Sequence, residues 1–164
     1  MPRAVWATEG KGSAEERMVA LSAGRDVSTL PAADSVLIPY DLWVNRAQAI
    51  MLGQIGLYKK EEVGALIRAL VDIEDRHERG KWDLDPELED VHMCVETELA
   101  QMVGEDISGR IHSGRSRNDQ SATDVRLYLR DAVLNSMKEW LLLPRAVIEH
   151  AQNHFETVMP GFTH

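Results

Sequence analysis

A single cysteine, Cys94, is all the thiol chemistry that this chain of 164 residues possesses. It has no partner for an internal disulfide, and its apolar neighbours mark it as a small buried side chain rather than a reactive group. Positive charge is also scarce: 18 Lys and Arg stand against 27 Asp and Glu, a formal net charge of −9. Nucleic-acid binders draw their affinity from clustered Lys and Arg, so DNA and RNA are not expected partners. No run approaches the roughly 18 apolar residues of a membrane span, and the opening residues lack the basic start and apolar stretch of a secretory signal. The expected setting is therefore the cytoplasm, away from any membrane. Only six prolines interrupt the chain, while 44% of residues are hydrophobic and 27% charged. Such a composition offsets chain entropy by burial and points to a globular fold. Internal repeats, low-complexity tracts and the alternation of a strand are all missing, which leaves helices.

Residues 1–32 mix Gly, Ser and charge without either period and read as an irregular arm. From Ala33 the pattern is helical, with Val36, Leu37, Tyr40, Val44, Ala47, Met51 and Ile55 spaced three or four apart, a local break at Pro39 and a stop at Gly56. Glu61 to Arg79 carries acids in its first turn, apolar Val63, Leu66, Ile67, Leu70 and Ile73, and bases before Gly80, so both helix ends are marked. Asp85 then stands as an N-cap with Pro86 at the first helical position, and Leu88, Val91, Val95, Leu99 and Met102 form one stripe ending at Gly104. Three glycines and two serines between Gly104 and Gly114 predict a loop. A last helix opens at Ser116, with Asp119 at capping-box spacing, and its apolar positions from Ala122 to Val147 continue almost to His154, with a kink expected at Pro144. Over residues 118–153 it would be roughly 54 Å long. That exceeds what a compact globule of this chain length accommodates, so further helices, from a remainder of the polypeptide or from neighbouring subunits, are expected alongside it.

Three stretches carry chemistry. Gly109 to Asp124, GRIHSGRSRNDQSATD, places polar groups on a glycine-punctuated loop that opens into a helix N-terminus, a geometry suited to carboxylate or phosphate. Arg115 or Arg117 adds a two-pronged hydrogen-bonded ion pair, and Asn118 both a donor and an acceptor. The same pattern also fits a solvated cap with surface arginines. Glu89, Asp90 and His92 combine two carboxylates with an imidazole that exchanges protons near neutral pH, although acids at a helix start are expected from the dipole alone. Asp90, His92 and Glu96 share a face, but no pair of His has ligand spacing, so no metal is expected. Pro160 to His164 forms a turn that breaks the long helix.

Together these stretches resemble the argininosuccinate lyases. SGRSRNDQSATDVRLYLR resembles that family's signature, EDVH its EDIH, and MPGFTH its PGYTH turn, in the same order and at matching separations. The similarity covers most of residues 21–164, including PYDLWVNRAQAIMLGQIGLY in the first long helix, and is weakest across the opening twenty. Related lyases of fumarate, aspartate and adenylosuccinate share the helical fold. The fumarase and aspartase loop, however, carries a serine where Arg117 stands here, which favours argininosuccinate.

The resemblance implies an all-α fold: an N-terminal helical domain over residues 33–114 and, over 115–164, the first long helix of a fumarase/aspartase-type bundle, truncated. It implies cleavage of argininosuccinate to arginine and fumarate by β-elimination, without metal or organic cofactor, in a homotetramer whose active sites combine residues from three subunits. Carried over by motif, Asn118 and Thr163 would hydrogen-bond the succinyl carboxylates with Arg117 nearby, Asp90 would help hold the substrate, and His164 would serve in proton transfer. The family's catalytic serine loop and the lysine of its GSSxMPxKxNP signature lie beyond the equivalent of His164, so negligible turnover is expected of this chain alone. A substrate-binding serine of the family aligns with Gly24, and its WGGRF segment is replaced around Val5 to Gly12. These departures leave room for a noncatalytic relative of the δ-crystallin kind, or an interaction fragment of the same fold.

Overall fold

The computed structural model describes residues 30–163 together with Met18. The expected arm, with Gly24 in it, lies almost wholly outside the described residues, as does His164. Among the described residues every regular element is helical, as expected. A 3-10 turn, Ala33–Leu37, leads into α1, Ile38–Gln54. Then come α2, Lys60–Glu78, α3, Val91–Val103, the short α4, Glu105–Gly109, a 3-10 turn at Arg110–His112, and α5, Arg117–Asn153. The chain divides between Tyr128 and Leu129 into two compact units.

The first unit is built on α1, α2 and α3. Pro39 does not break α1 but stands in its first turn, where the missing N–H has no helical partner to lose; the irregularity is the change from 3-10 to α winding at Ile38. The buried stripe is Ile38, Leu42, Ala49 and Leu52, not the one expected from spacing, for Val36, Met51 and Ile55 are exposed. Apolar residues surround α1, so their spacing alone offers two candidate faces, and packing against α2 and α3 selects one. At Gly53 the approach to α2 is so close that a Cβ would lie 2.6 Å from Val63 Cγ2. Gly56 then ends the helix at φ +81°, a left-handed conformation that only glycine takes without strain.

The α2 helix matches its expected form. Glu62 reaches back to the Lys59 N–H at 2.7 Å, and Leu66, Leu70 and Ile73 are fully buried. Twin 2.8 Å hydrogen bonds from Arg46 to Glu74 tie α1 to α2, and Arg76 reaches Glu98 of α3 at 2.5 Å. Such partly exposed pairs contribute about 0–1 kcal/mol each, so the shared apolar core dominates.

Two expectations are corrected next. The N-cap of α3 is Asp90, which accepts from the Met93 N–H at 2.7 Å, not Asp85. The Asp85 side chain instead closes its own turn through the Glu87 N–H at 2.9 Å, so the chain bends once before the helix begins. Likewise the segment between Gly104 and Gly114 is not a plain loop. These two glycines, at φ +91° and +77°, bracket α4 and the following 3-10 turn, which bury Ser108 and Ile111. Cys94 is buried and in no disulfide, as composition suggested.

The expected capping box opens α5: Ser116 Oγ accepts from the Asn118 N–H at 3.1 Å and Asp119 accepts from the Ser116 N–H at 3.1 Å. Only two residues of α5 are buried, Gln120 and Asp124, and both are polar. Helical backbone continues through Pro144, with helix on both sides of the expected kink. In the second unit, Val133, Met137, Trp140, Leu141 and Ile148 are exposed.

Core burial sets the first expected outcome. Leu70→Ala should lower unfolding stability by about 2–5 kcal/mol, and Gly56→Ala by about 1–2 kcal/mol through left-handed strain. Val133→Ala should stay within about 0.5 kcal/mol. Urea titration measures all three, and equal losses for Leu70→Ala and Val133→Ala would contradict this assignment of the core.

Candidate active site

Two helix N-termini meet at one ion pair. Asp90 caps α3, and Arg117 occupies the first position of α5. One guanidinium nitrogen, Nη1, lies 3.0 and 2.8 Å from the two Asp90 oxygens, while Nη2 stands 3.6 Å from Glu96. Glu96 in turn bonds His112 Nε2 at 3.1 Å. That hydrogen bond holds the Glu96 carboxyl below its usual range, against the opposing effect of burial and with help from the charges of His112 and Arg117. Asn118 follows on the exposed side of the turn. The Asn118, Asp119 and Gln120 N–H groups are engaged by Ser116, so the guanidinium and the exposed Asn118 amide are what this turn offers where a helix dipole favours negative charge.

Beneath this surface lies a buried polar network that the motifs did not reveal. Asp41, wholly buried on α1, accepts at Oδ1 from His92 Nδ1 at 2.7 Å and from Gln120 Nε2 at 2.5 Å, and at Oδ2 from Asn45 Nδ2 at 2.9 Å. His92 bonds Ser121 Oγ through its other nitrogen at 2.8 Å. Arg115 Nη2 donates to Asn45 Oδ1. Asp124, also wholly buried, lies 3.7 Å from His92 Nδ1; neither of its oxygens receives an N–H donor, and its side-chain hydrogen bond is to the Asp41 carboxyl.

The proton distribution follows from these contacts. Burial, then the charge of Asp41, pushes the Asp124 carboxyl up to about 7, although His92 and Arg115 pull the other way. Burial opposes a charged His92, but the Asp41 hydrogen bond and the charges of Asp41, Asp90 and Asp124 outweigh it and raise its pKa. Asp41, His92 and Asp124 each offer a ligand atom, all within 4.8 Å of one another, a donor set that could hold a metal ion. Both imidazole nitrogens and both Asp41 oxygens already have hydrogen-bond partners, however, so shared protons account for the arrangement without a cation.

Of the residues singled out from sequence, the fold brings Asp90, Arg117 and Asn118 together. Thr163 is exposed in the second unit, and His164 lies outside the described residues. Asp41, Asn45, Gln120, Ser121 and Asp124 were missed, as was the His112–Glu96 link. The available signal was the spacing of Asp41, Asn45 and Gln48, which places three polar side chains on one face of an otherwise apolar helix.

A protein-family model described as Lyase matches residues 35–164, most of the chain. The chain belongs to the lyase family. It is 35% identical, over its whole length, to 34% of an argininosuccinate lyase from Campylobacter jejuni subsp. doylei. An argininosuccinate lyase from Thermus thermophilus is 44% identical over 81% of the chain and 29% of the relative, and one from Methanosarcina mazei 42% identical over 80% and 26%. The resemblance drawn from the motifs is thus borne out. The chain spans about a third of the length of the Campylobacter relative it matches.

The buried acid generates a pH dependence. A carboxyl whose folded pKa stands above its unfolded value binds a proton on folding, so its contribution to stability falls as pH rises between 3.8 and about 7. His92, raised above 6.5, contributes fully below that value and loses its contribution as pH rises through its folded pKa. Glu96, lowered from 4.5, keeps its contribution above that value and loses it as pH falls from there through its own folded pKa. Asp124→Asn should therefore flatten the stability decline between pH 4 and 7, which for one group reaches at most about 1.4 kcal/mol per pH unit. Denaturant midpoints across that range measure it, and an unchanged slope would exclude Asp124 as its source.

Proposed function

We propose that this chain supplies the N-terminal portion of an argininosuccinate lyase, in which Arg117 and Asn118 receive a carboxylate of the succinyl group. The observation that carries this reading is the opening turn of α5, where a guanidinium oriented by Asp90, an exposed amide and a positive helix end adjoin. In β-elimination a base takes the proton from the carbon beside a carboxylate, the carbon–nitrogen bond to the guanidinium breaks, and arginine departs as fumarate forms. Negative charge accumulates on that carboxylate in the transition state, so donors aimed at it lower the barrier. Asp90 keeps Arg117 extended toward the site and helps hold the substrate. Thr163 adds a hydroxyl donor to the succinyl carboxylates, and His164 serves in proton transfer.

The wider reading is a cytoplasmic homotetramer. No helix among the described residues is long and apolar enough to cross a membrane. The exposed apolar side chains of α5, Trp140 and Leu141 among them, suit packing against other helices of such an assembly.

Fusing this chain to the remaining two thirds of the Campylobacter relative and following fumarate release by ultraviolet absorbance tests the reading. Turnover is expected from the fusion. Asn118→Ala should reduce kcat/KM by on the order of 10²–10³-fold, the usual cost of one donor to a developing oxyanion, with helical content unchanged. A folded tetrameric fusion that releases no fumarate, or an Asn118→Ala variant as active as its parent, would overturn the proposal.

A further inference from the structure

Asp41, Asn45 and Gln48 occur at i, i+4 and i+7 along α1 and so share one face. Each engages a different residue of the segment that carries Arg117 and Asn118. Gln48 Nε2 donates to the Ser113 carbonyl at 3.0 Å, Asn45 Oδ1 accepts from Arg115, and Asp41 accepts from Gln120 at 2.5 Å. The order is antiparallel: as α1 is read backward from 48 to 41, the segment runs forward from 113 to 120. His92 extends the series by one residue, bridging Asp41 to Ser121.

None of these contacts touches Arg117 or Asn118. They fasten the chain on either side of that pair. The first unit gives α5 no fully buried apolar side chain, for its two buried residues are Gln120 and Asp124. Apart from the edge-on contact of Tyr128 with Tyr40, polar contacts therefore fix its axial position. A helix held by one apolar patch can slip or rotate at modest cost, whereas a slip here would take the Gln120 donor from Asp41 and leave a buried carboxylate one hydrogen bond short.

We propose that Asp41, Asn45 and Gln48 form a polar rail that positions the anion-receiving turn of α5, with Asp41 the principal positioning residue acting through Gln120 and through His92 to Ser121. The identity of the anion rests on the lyase reading above; the seating of the turn does not, and it is readable in this chain without substrate.

The test is amide hydrogen exchange and imidazole nitrogen NMR on the full chain. In the parent, His92 should show a protonated Nδ1 held in a strong hydrogen bond. Asp41→Asn should abolish that signature and speed exchange across residues 117–121 by at least about tenfold, the loss of more than one hydrogen bond, while Leu66 to Ile73 of α2 keep their protection. Ser121 supplies a second, gentler arm. Ala is a better helix former than Ser and Thr a poorer one, so helix propensity alone predicts tighter α5 in Ser121→Ala and looser in Ser121→Thr. The rail predicts the reverse, with exchange at 117–121 roughly two- to tenfold faster in Ser121→Ala and near parental in Ser121→Thr, which keeps the hydroxyl. Unchanged exchange in Ser121→Ala overturns the proposal whether or not Asp41→Asn folds, and so does a loss spread evenly into α2. In the fusion enzyme Ser121→Ala should raise KM for argininosuccinate with Ser121→Thr restoring it. An inactive fusion with the exchange pattern intact would defeat the lyase reading and leave the rail standing.

Discussion

A carboxylate removed from water has to be satisfied where it lies, and the arrangement of the first unit follows from how Asp41 is satisfied. Stripping an ion of its hydration costs several kcal/mol even after the protein relaxes. Three donors offset that cost here, and they come from three helices: Asn45 from α1 itself, His92 from α3 and Gln120 from α5. Apolar packing among α1, α2 and α3 tolerates small changes in register, because any good fit of Leu and Ile side chains is nearly as stable as another. Asp41 does not tolerate them. It converts an approximate bundle into one with a single axial setting.

Above that network, α3 and α5 both begin beside the Asp90–Arg117 pair. Asp90 accepts from the Met93 backbone at the head of α3 while its two oxygens face the Arg117 guanidinium. The cap that starts one helix therefore orients the cation that starts another. Glu96, one turn into α3 and held by a hydrogen bond from His112 just before α5, lies 3.6 Å from Nη2 of the same guanidinium. An arginine gripped in this way loses little rotamer freedom when a carboxylate arrives.

Legibility in the sequence followed the range of each interaction. The α2 helix was plain because both ends and its apolar stripe are local signals. The start of α3 was misplaced because Asp85 and Asp90 are each plausible caps, and only the fold shows which one faces a free N–H. The buried face of α1 was misread because apolar residues lie on all its sides, so the choice belongs to α2 and α3. Asp90, Arg117 and Asn118 were visible through motifs. Asp41, Asn45 and Gln48 were not, since polar residues at helical spacing ordinarily mark the side that faces water, and their partners lie 51 to 79 residues away for Asp41, 70 for Asn45 and 65 for Gln48.

The polar seat of α5 follows from where its apolar residues are placed. Val133, Met137, Trp140 and Leu141 all lie beyond Tyr128 and are exposed within their own unit, whereas the stretch from Arg117 to Tyr128 offers no fully buried apolar side chain. Beyond the edge-on contact of Tyr128 with Tyr40, a helix so patterned gains little at its beginning from hydrophobic burial, and hydrogen bonds and ion pairs do most to fix it. Those interactions are directional and lapse over a few tenths of an ångström, which burial does not. Asp124 shows how the charge is kept in balance: Asp41 collects three N–H donors and Asp124 none, while burial and the charge of Asp41 push the Asp124 carboxyl up to about 7, toward its neutral form. Protonated, it lets a carboxyl group sit beside Asp41 without a second buried charge, and the opening turns of α5 keep their place mainly through polar contacts, joined by the edge-on contact of Tyr128 with Tyr40.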